Sequence, residues 1–234
     1  MPRTPQSDAL VADDAEARME ARRQAAPVAL LLLALYVLLA VVSRHEGWTL
    51  SGLPWWAWLI VASPAALLGV DLVMAWRGGA LVRSRAAALV LLGILVLANA
   101  VALGILVAAL ITTSTSDLTG GELLLTAFAI WSADVIVFGL LFWESDSGGP
   151  VERMLAPTRV ARDFRFPQDE DHGGDWRPQA WDYLYVSLTN SIAFSPTDTM
   201  PLSLRAKAFM GVESAISAAT VLLVAARAVN VLGS

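Results

Sequence analysis

The sequence predicts an all-α integral membrane protein with about five transmembrane helices and one re-entrant, pore-type half-helix. Only 16% of the residues are charged, against about a quarter in soluble domains, while 56% are hydrophobic and the mean hydropathy is +0.60. Apolar runs long enough to cross a bilayer, ~20 residues each, recur along the chain. Near the carboxyl end a shorter aromatic segment, 179–189, leads into a polar Ser/Thr/Asn/Pro turn and then a long apolar helix. Non-helical backbone survives at membrane depth only when buried in protein or lining water. That order therefore suits a chain that dips into the bilayer and turns back.

Residues 1–26 read as a polar, mixed-charge tail without the basic-then-apolar order of a secretory signal. The Ala/Glu/Arg spacing from Asp13 to Arg23 fits a surface helix. Val28–Val42 is the first span, closed by Arg44-His45-Glu46-Gly47-Trp48. The second opens on Trp55-Trp56-Ala57-Trp58, an aromatic set suited to the headgroup boundary, and runs to Trp76. Pro64 inside it frees a carbonyl and predicts a kink. After a basic turn, 77–85, come a third span, Ala86–Ile111, a turn at 112–121 lacking Lys and Arg, and a fourth span, Leu123–Phe142. Gly148-Gly149-Pro150 opens a loop, 144–178, that carries five arginines. Pro178 suits the start of the half-helix, and Ser203–Val231 is the fifth span. The organisation read from this order is a tail (1–26), a three-helix bundle (27–121) and a pore-like unit (122–234). No internal repeat is visible.

Basic residues number four in the tail, three in the 77–85 turn and five in 144–178, against one in the first loop and none in 112–121. The bias places the amino terminus in the cytoplasm of a multi-pass cell-membrane protein. The half-helix then enters from the cytoplasmic side.

Asp71 and Asp134 fall inside spans, where an ionised carboxylate costs roughly 2.5–3.5 kcal/mol on insertion scales. Each reads either as a cation- or proton-binding group facing a cavity or as a structural hydrogen-bond partner. Arg77 can snorkel to Asp71, and Asn99 is the natural partner of Asp134. Glu213, Ser217, Thr220 and Arg227 share one face of the last helix, at offsets of four, three and seven. That face reads as the polar wall of a water-filled path or as a packed seam, since Ser214, Ala215, Ala218 and Ala219 allow close approach. Asn190, Ser191, Ser195, Thr197 and Asp198 offer oxygens suited to hard cations. Asp198 and Thr199 also read as a cap for the last helix. Arg205 and Lys207 suit lipid phosphates.

The region 179–231 resembles the pore unit of tetrameric potassium channels. Ser187-Leu188-Thr189 stands where the pore helix ends, and Pro201-Leu202 where the inner helix begins. Thr189, Asn190, Ser191, Ile192, Ala193, Phe194, Ser195 and Asp198 occupy the filter and its exit, with both filter glycines absent. The resemblance implies an oligomer of four chains around an axis, lined by Glu213, Ser217 and Thr220, passing monovalent cations with weak selectivity. Asp198 would then form an acidic ring. Alternatives are a non-conducting scaffold or partner subunit, and a small proton-coupled transporter using Asp71 and Asp134. The general pattern is also similar to bacterial integral membrane families of comparable length.

The chain has no cysteine, and His45 and His172 sit in different loops. No phosphate-binding glycine loop, nucleophile elbow or redox motif is present. The acidic set Asp169-Glu170-Asp171 lacks metal-site spacing. The lipid bilayer is the expected partner; no enzyme activity, cofactor, resident metal or nucleic acid is expected.

Overall fold

The computed structural model describes residues 5–49, 53–76, 84–112, 120–155, 161–171, 176–195 and 198–232; side chains at 5–12, 71–76, 109–112, 120, 170–171 and 227–232 lie outside the description. Four long helices come first: α1 (Pro5–Glu46), α2 (Trp55–Trp76), α3 (Arg85–Thr112) and α4 (Gly120–Ser145). A short α5 (Pro150–Leu155), strand β1 (Phe164–Arg165) and a single turn, α6 (Gln168–Asp171), fill the arginine-rich loop. Helix α7 (Ala180–Ala193), strand β2 (Met200–Pro201) and α8 (Leu204–Leu232) complete the chain.

Among the described residues four helices are long and apolar enough to cross a membrane, over Asp13–Glu46, Arg85–Ala108, Gly121–Gly148 and Leu204–Ala226. The count expected from sequence was about five. In α2 the qualifying apolar stretch among the described residues is the shorter Trp55–Val70. The tail also differs from expectation, because α1 continues from Pro5 through Pro27 without a break. Proline removes one donor to the carbonyl four residues back. For Pro27 that carbonyl belongs to Arg23, on an exposed turn where water can replace the missing donor. In α2 the same problem at Pro64 is solved by the protein itself. The Ser63 hydroxyl donates to the Ile60 carbonyl at 2.7 Å, the group that Pro64 cannot serve, and the helix runs on.

Helix α4 is the centre of the bundle. Of its most apolar stretch 72% is buried in the molecule, against 28–33% in the other three candidate spans. It packs on α1, α3, α7 and α8, while α2 lies along α1. One contiguous core runs through both parts of the chain, from Leu32 and Leu39 of α1 to Met210 and Ile216 of α8. Where α4 meets α7 the approach is set by Gly139, on which a Cβ would lie 2.9 Å from the Leu184 Cα. Backbone cannot yield as a side-chain tip can. Gly139→Ala is therefore expected to cost about 1–3 kcal/mol by overpacking, read as a lower melting temperature in detergent. An unchanged melting temperature would mean that the two helices are not held this closely.

The fold also fixes which segments share an end. The polar half of α1, the start of α3 and the end of α4 with α5 surround one cavity of about 490 Å³, lined by Asp14, Arg18, Arg22, Arg85, Gly149 and Glu152 among others. Arg18, Arg22 and Arg85 thus gather with the start of the arginine-rich loop at one end of the bundle. At the opposite end a Cβ on Gly121 would meet the Trp48 ring at 3.4 Å, so α1 and α4 run antiparallel.

Candidate functional site

The site begins with the way α4 ends. A helix leaves its last four carbonyls without intrahelical donors, and here each has one. The Ser145 hydroxyl donates to the Phe142 carbonyl at 3.2 Å. Arg153 Nη1 donates to the Trp143 carbonyl at 2.8 Å, and Arg85 Nε to that of Glu144 at 3.2 Å. The Ser145 carbonyl accepts from Arg85 Nη2 at 3.2 Å and Arg205 Nη2 at 2.9 Å. Three arginines from three distant segments therefore cap the negative end of one helix dipole.

Asp146, 1% exposed, holds the next layer together. Its Oδ1 accepts from the backbone N–H groups of Asp163 at 2.7 Å and Phe164 at 3.3 Å, and from the Ser147 hydroxyl at 3.0 Å. Its Oδ2 accepts from the Tyr183 hydroxyl at 2.5 Å. Burial pushes the Tyr183 phenol well above its ordinary range, so it stays a donor, and the Arg153 guanidinium stacks over its ring at 5.1 Å. Asp163 pairs with Arg205 of α8, and its carbonyl accepts from the Leu202 N–H at 2.7 Å. Phe164 pairs antiparallel with Pro201.

These bonds decide the path of α7. Tyr183, near its start, is tied to the carboxyl end of α4, and Arg205, near the start of α8, is tied to the same end. Between them α7 descends along α4 until Ser187 reaches the Val135 carbonyl at 2.7 Å. That carbonyl lies ~16 Å down the helix from Asp146 at 1.5 Å per residue. The chain then returns to Met200–Pro201. Segment 179–203 enters and leaves at one end of the bundle.

The tip of α7 differs in form from a filter. Thr189, Asn190, Ser191, Ile192 and Ala193 are helical, and Phe194 closes the helix in the left-handed region at φ 53°. The half-helix was expected to end at Thr189. The helix prevails because the side chains that would have lined a filter bond inward instead. Asn190 Nδ2 donates to the Met210 carbonyl at 3.0 Å and to Glu213 Oε2 at 2.6 Å, and the Ser214 hydroxyl donates to Asn190 Oδ1 at 3.2 Å. The Ser191 hydroxyl bonds back to Leu188, and that of Thr189 to Tyr185 and Val186. Ile192, Ala193, Phe194, Ser195 and Asp198 are exposed. Asp198 does not cap α8: Ser203 does, its hydroxyl accepting the Ala206 N–H at 3.1 Å. Arg205, expected at lipid phosphates, is committed to Ser145 and Asp163.

The polar face of α8 is a seam within one chain and lines no open path there. Glu213 and Ser217 are 0% exposed and Thr220 is 2% exposed. Thr220 bonds back to the Ile216 carbonyl at 2.8 Å. The small neighbours on α8 admit α4 and α7 closely enough to consume the other two. Asp71, Thr197 and Arg227 lie outside the described side chains.

What the fold brings together is a pair of buried carboxyl groups. Asp134 of α4, 1% exposed, accepts from Asn99 Nδ2 at 3.4 Å and from the Ser217 hydroxyl at 3.0 Å. Asn99 also donates to the Ile130 carbonyl at 3.1 Å, which locks α3 to α4. Glu213 of α8 is held by Asn190 and by the Ser187 hydroxyl. The two acids lie within electrostatic reach of each other, and Tyr36 of α1 within reach of Asp134. Among the described residues neither carboxyl has a cationic partner. Ser187 carries one proton but has two acceptors, the Val135 carbonyl and Glu213. With a proton on Glu213 both are served, the acid donating to Ser187 and Ser187 to Val135. Without it, Ser187 must turn to Glu213 and release α4.

No family model matches this chain, nor does any curated protein or solved structure. The site stands on its own geometry. Sequence reasoning singled out Asp134, Glu213, Ser217 and Asn190. It missed Asp146, Tyr183, Arg85 and Arg153, which lie in loops or at helix ends with no periodic signal.

Proposed function

We propose that this chain is a multi-pass cell-membrane protein, its amino terminus cytoplasmic, that moves protons across the bilayer through Asp134 and Glu213. One observation carries the reading. Two carboxyl groups on α4 and α8 are buried at mid-bundle with no cationic partner among the described residues; Ser217 of α8 bonds Asp134, and hydroxyl and amide groups of α7 hold Glu213. Intramembrane ionisable groups are costly and mark ion and proton paths, and transporter sites are commonly built where a half-helix ends inside the membrane. Protonation of Glu213 alters the Ser187 bond between α4 and α7, so proton binding is linked to the seating of the half-helix. Whether a second solute moves with the proton is set by the rest of the chain.

The test is purified protein in liposomes carrying a pH-sensitive dye, with an imposed pH gradient. Dissipation of the gradient well above empty liposomes is expected, from a protein monomeric in detergent. Cation flux without proton flux, from a tetramer, would overturn this reading in favour of the potassium-channel-like pore. No flux of either kind, with the fold intact, would favour a scaffold or partner subunit.

A further inference from the structure

We infer that Tyr36 and Thr126 hold ordered internal water that connects Asp134 to the end of the bundle opposite α7. The proton route in this statement rests on the function proposed above; the water does not. Tyr36 is 2% exposed and Thr126 is 1% exposed, yet the Tyr36 hydroxyl and Thr126 Oγ1 have no hydrogen-bond partner among the described residues. An orphan of this kind is costly if left dry, and buried water making two to four bonds is the usual remedy. Thr126 is conspicuous because a helical threonine can return its hydroxyl to a carbonyl in the preceding turn. Thr189 and Thr220 do so.

The positions form an ordered path. Gly121 marks the far end, against Trp48. From there Thr126 lies ~8 Å and Asp134 ~20 Å along α4 at 1.5 Å per residue. Tyr36 sits on the antiparallel α1 close to Asp134. Glu122, 5% exposed in the first turn of α4, stands at the mouth. Beyond Asp134 the polar groups continue through Ser217 and Glu213 to Asn190 at the α7 tip. Water at Tyr36 and Thr126 fills the stretch that the α7 side of the bundle bridges with its own side chains.

Hydroxyl-radical footprinting of the full-length protein in detergent reads this without any transport assay. Radicals generated from bound water should oxidise Tyr36 despite its burial. Tyr183, fully buried and bonded to Asp146, should stay unmodified, and exposed Tyr185 should react. Tyr36 as silent as Tyr183 would overturn the inference. In liposomes, Tyr36→Phe and Thr126→Val should each lower proton flux about a hundredfold, the low end of what a positioned proton-transfer group contributes. Labelled Tyr36 in a protein that moves no protons would leave the water in place and defeat the proposed function. Proton flux with Tyr36 unlabelled, or undiminished in both variants, would defeat this route alone.

Discussion

Asp146→Ala is expected to destabilise the protein by about 3–5 kcal/mol, as removal of one member of a buried charge network does. In this size range that corresponds to a fall of roughly 10 °C in melting temperature. The substitution strips the acceptor from the Asp163 and Phe164 N–H groups and from the hydroxyls of Ser147 and Tyr183 at once. It also removes the carboxylate that accepts the Tyr183 hydroxyl, while Arg153 stays buried. Thermal unfolding in detergent measures the loss. Limited proteolysis locates it, because segment 161–203 should open first while α1 to α4 stay protected. A variant as stable as the parent would show that the loop is held by other means and that the α7 entry is not anchored at α4.

Glu213→Gln is expected to abolish proton movement, a loss of at least a hundredfold in liposome flux, with little change in melting temperature. The amide can accept from Asn190 and donate to Ser187, so the bonds of a protonated Glu213 survive while the exchangeable proton is lost. Glu213→Ala separates the two roles. It removes one bond each from Asn190 and Ser187, which keep Met210, Ser214 and Val135 as partners, at about 0.5–1.5 kcal/mol for each bond, and should loosen α7. Full proton flux in a folded Glu213→Gln protein would remove Glu213 from the path.

The all-α class and the extents of α3, α4 and α8 were legible because apolar length is a strong one-dimensional signal. Asn99 with Asp134 was legible too, since two polar groups inside spans have few other partners. The polar face of α8 could be read from its offsets, but not what it faced, because a pore wall and a packed seam share one pattern. The end of α7 lies four residues beyond the expected Thr189 for a physical reason: Asn190 bonds to α8 and Ser191 back to Leu188, so the backbone stays helical to Ala193. The clamp at Asp146 was illegible because it joins residues 85, 146, 153, 163, 183 and 205 through contacts that no local spacing encodes.

The return of the chain at Met200–Pro201 bears on how the molecule is made. The tip of α7 leans on Met210, Glu213 and Ser214, all of which are synthesised after it. A ribosome that has delivered residues 1–203 has therefore supplied the cradle at α4 but not the wall against which the tip rests. Helix α7 can seat fully only once α8 has followed it out, so a segment made later completes the interior.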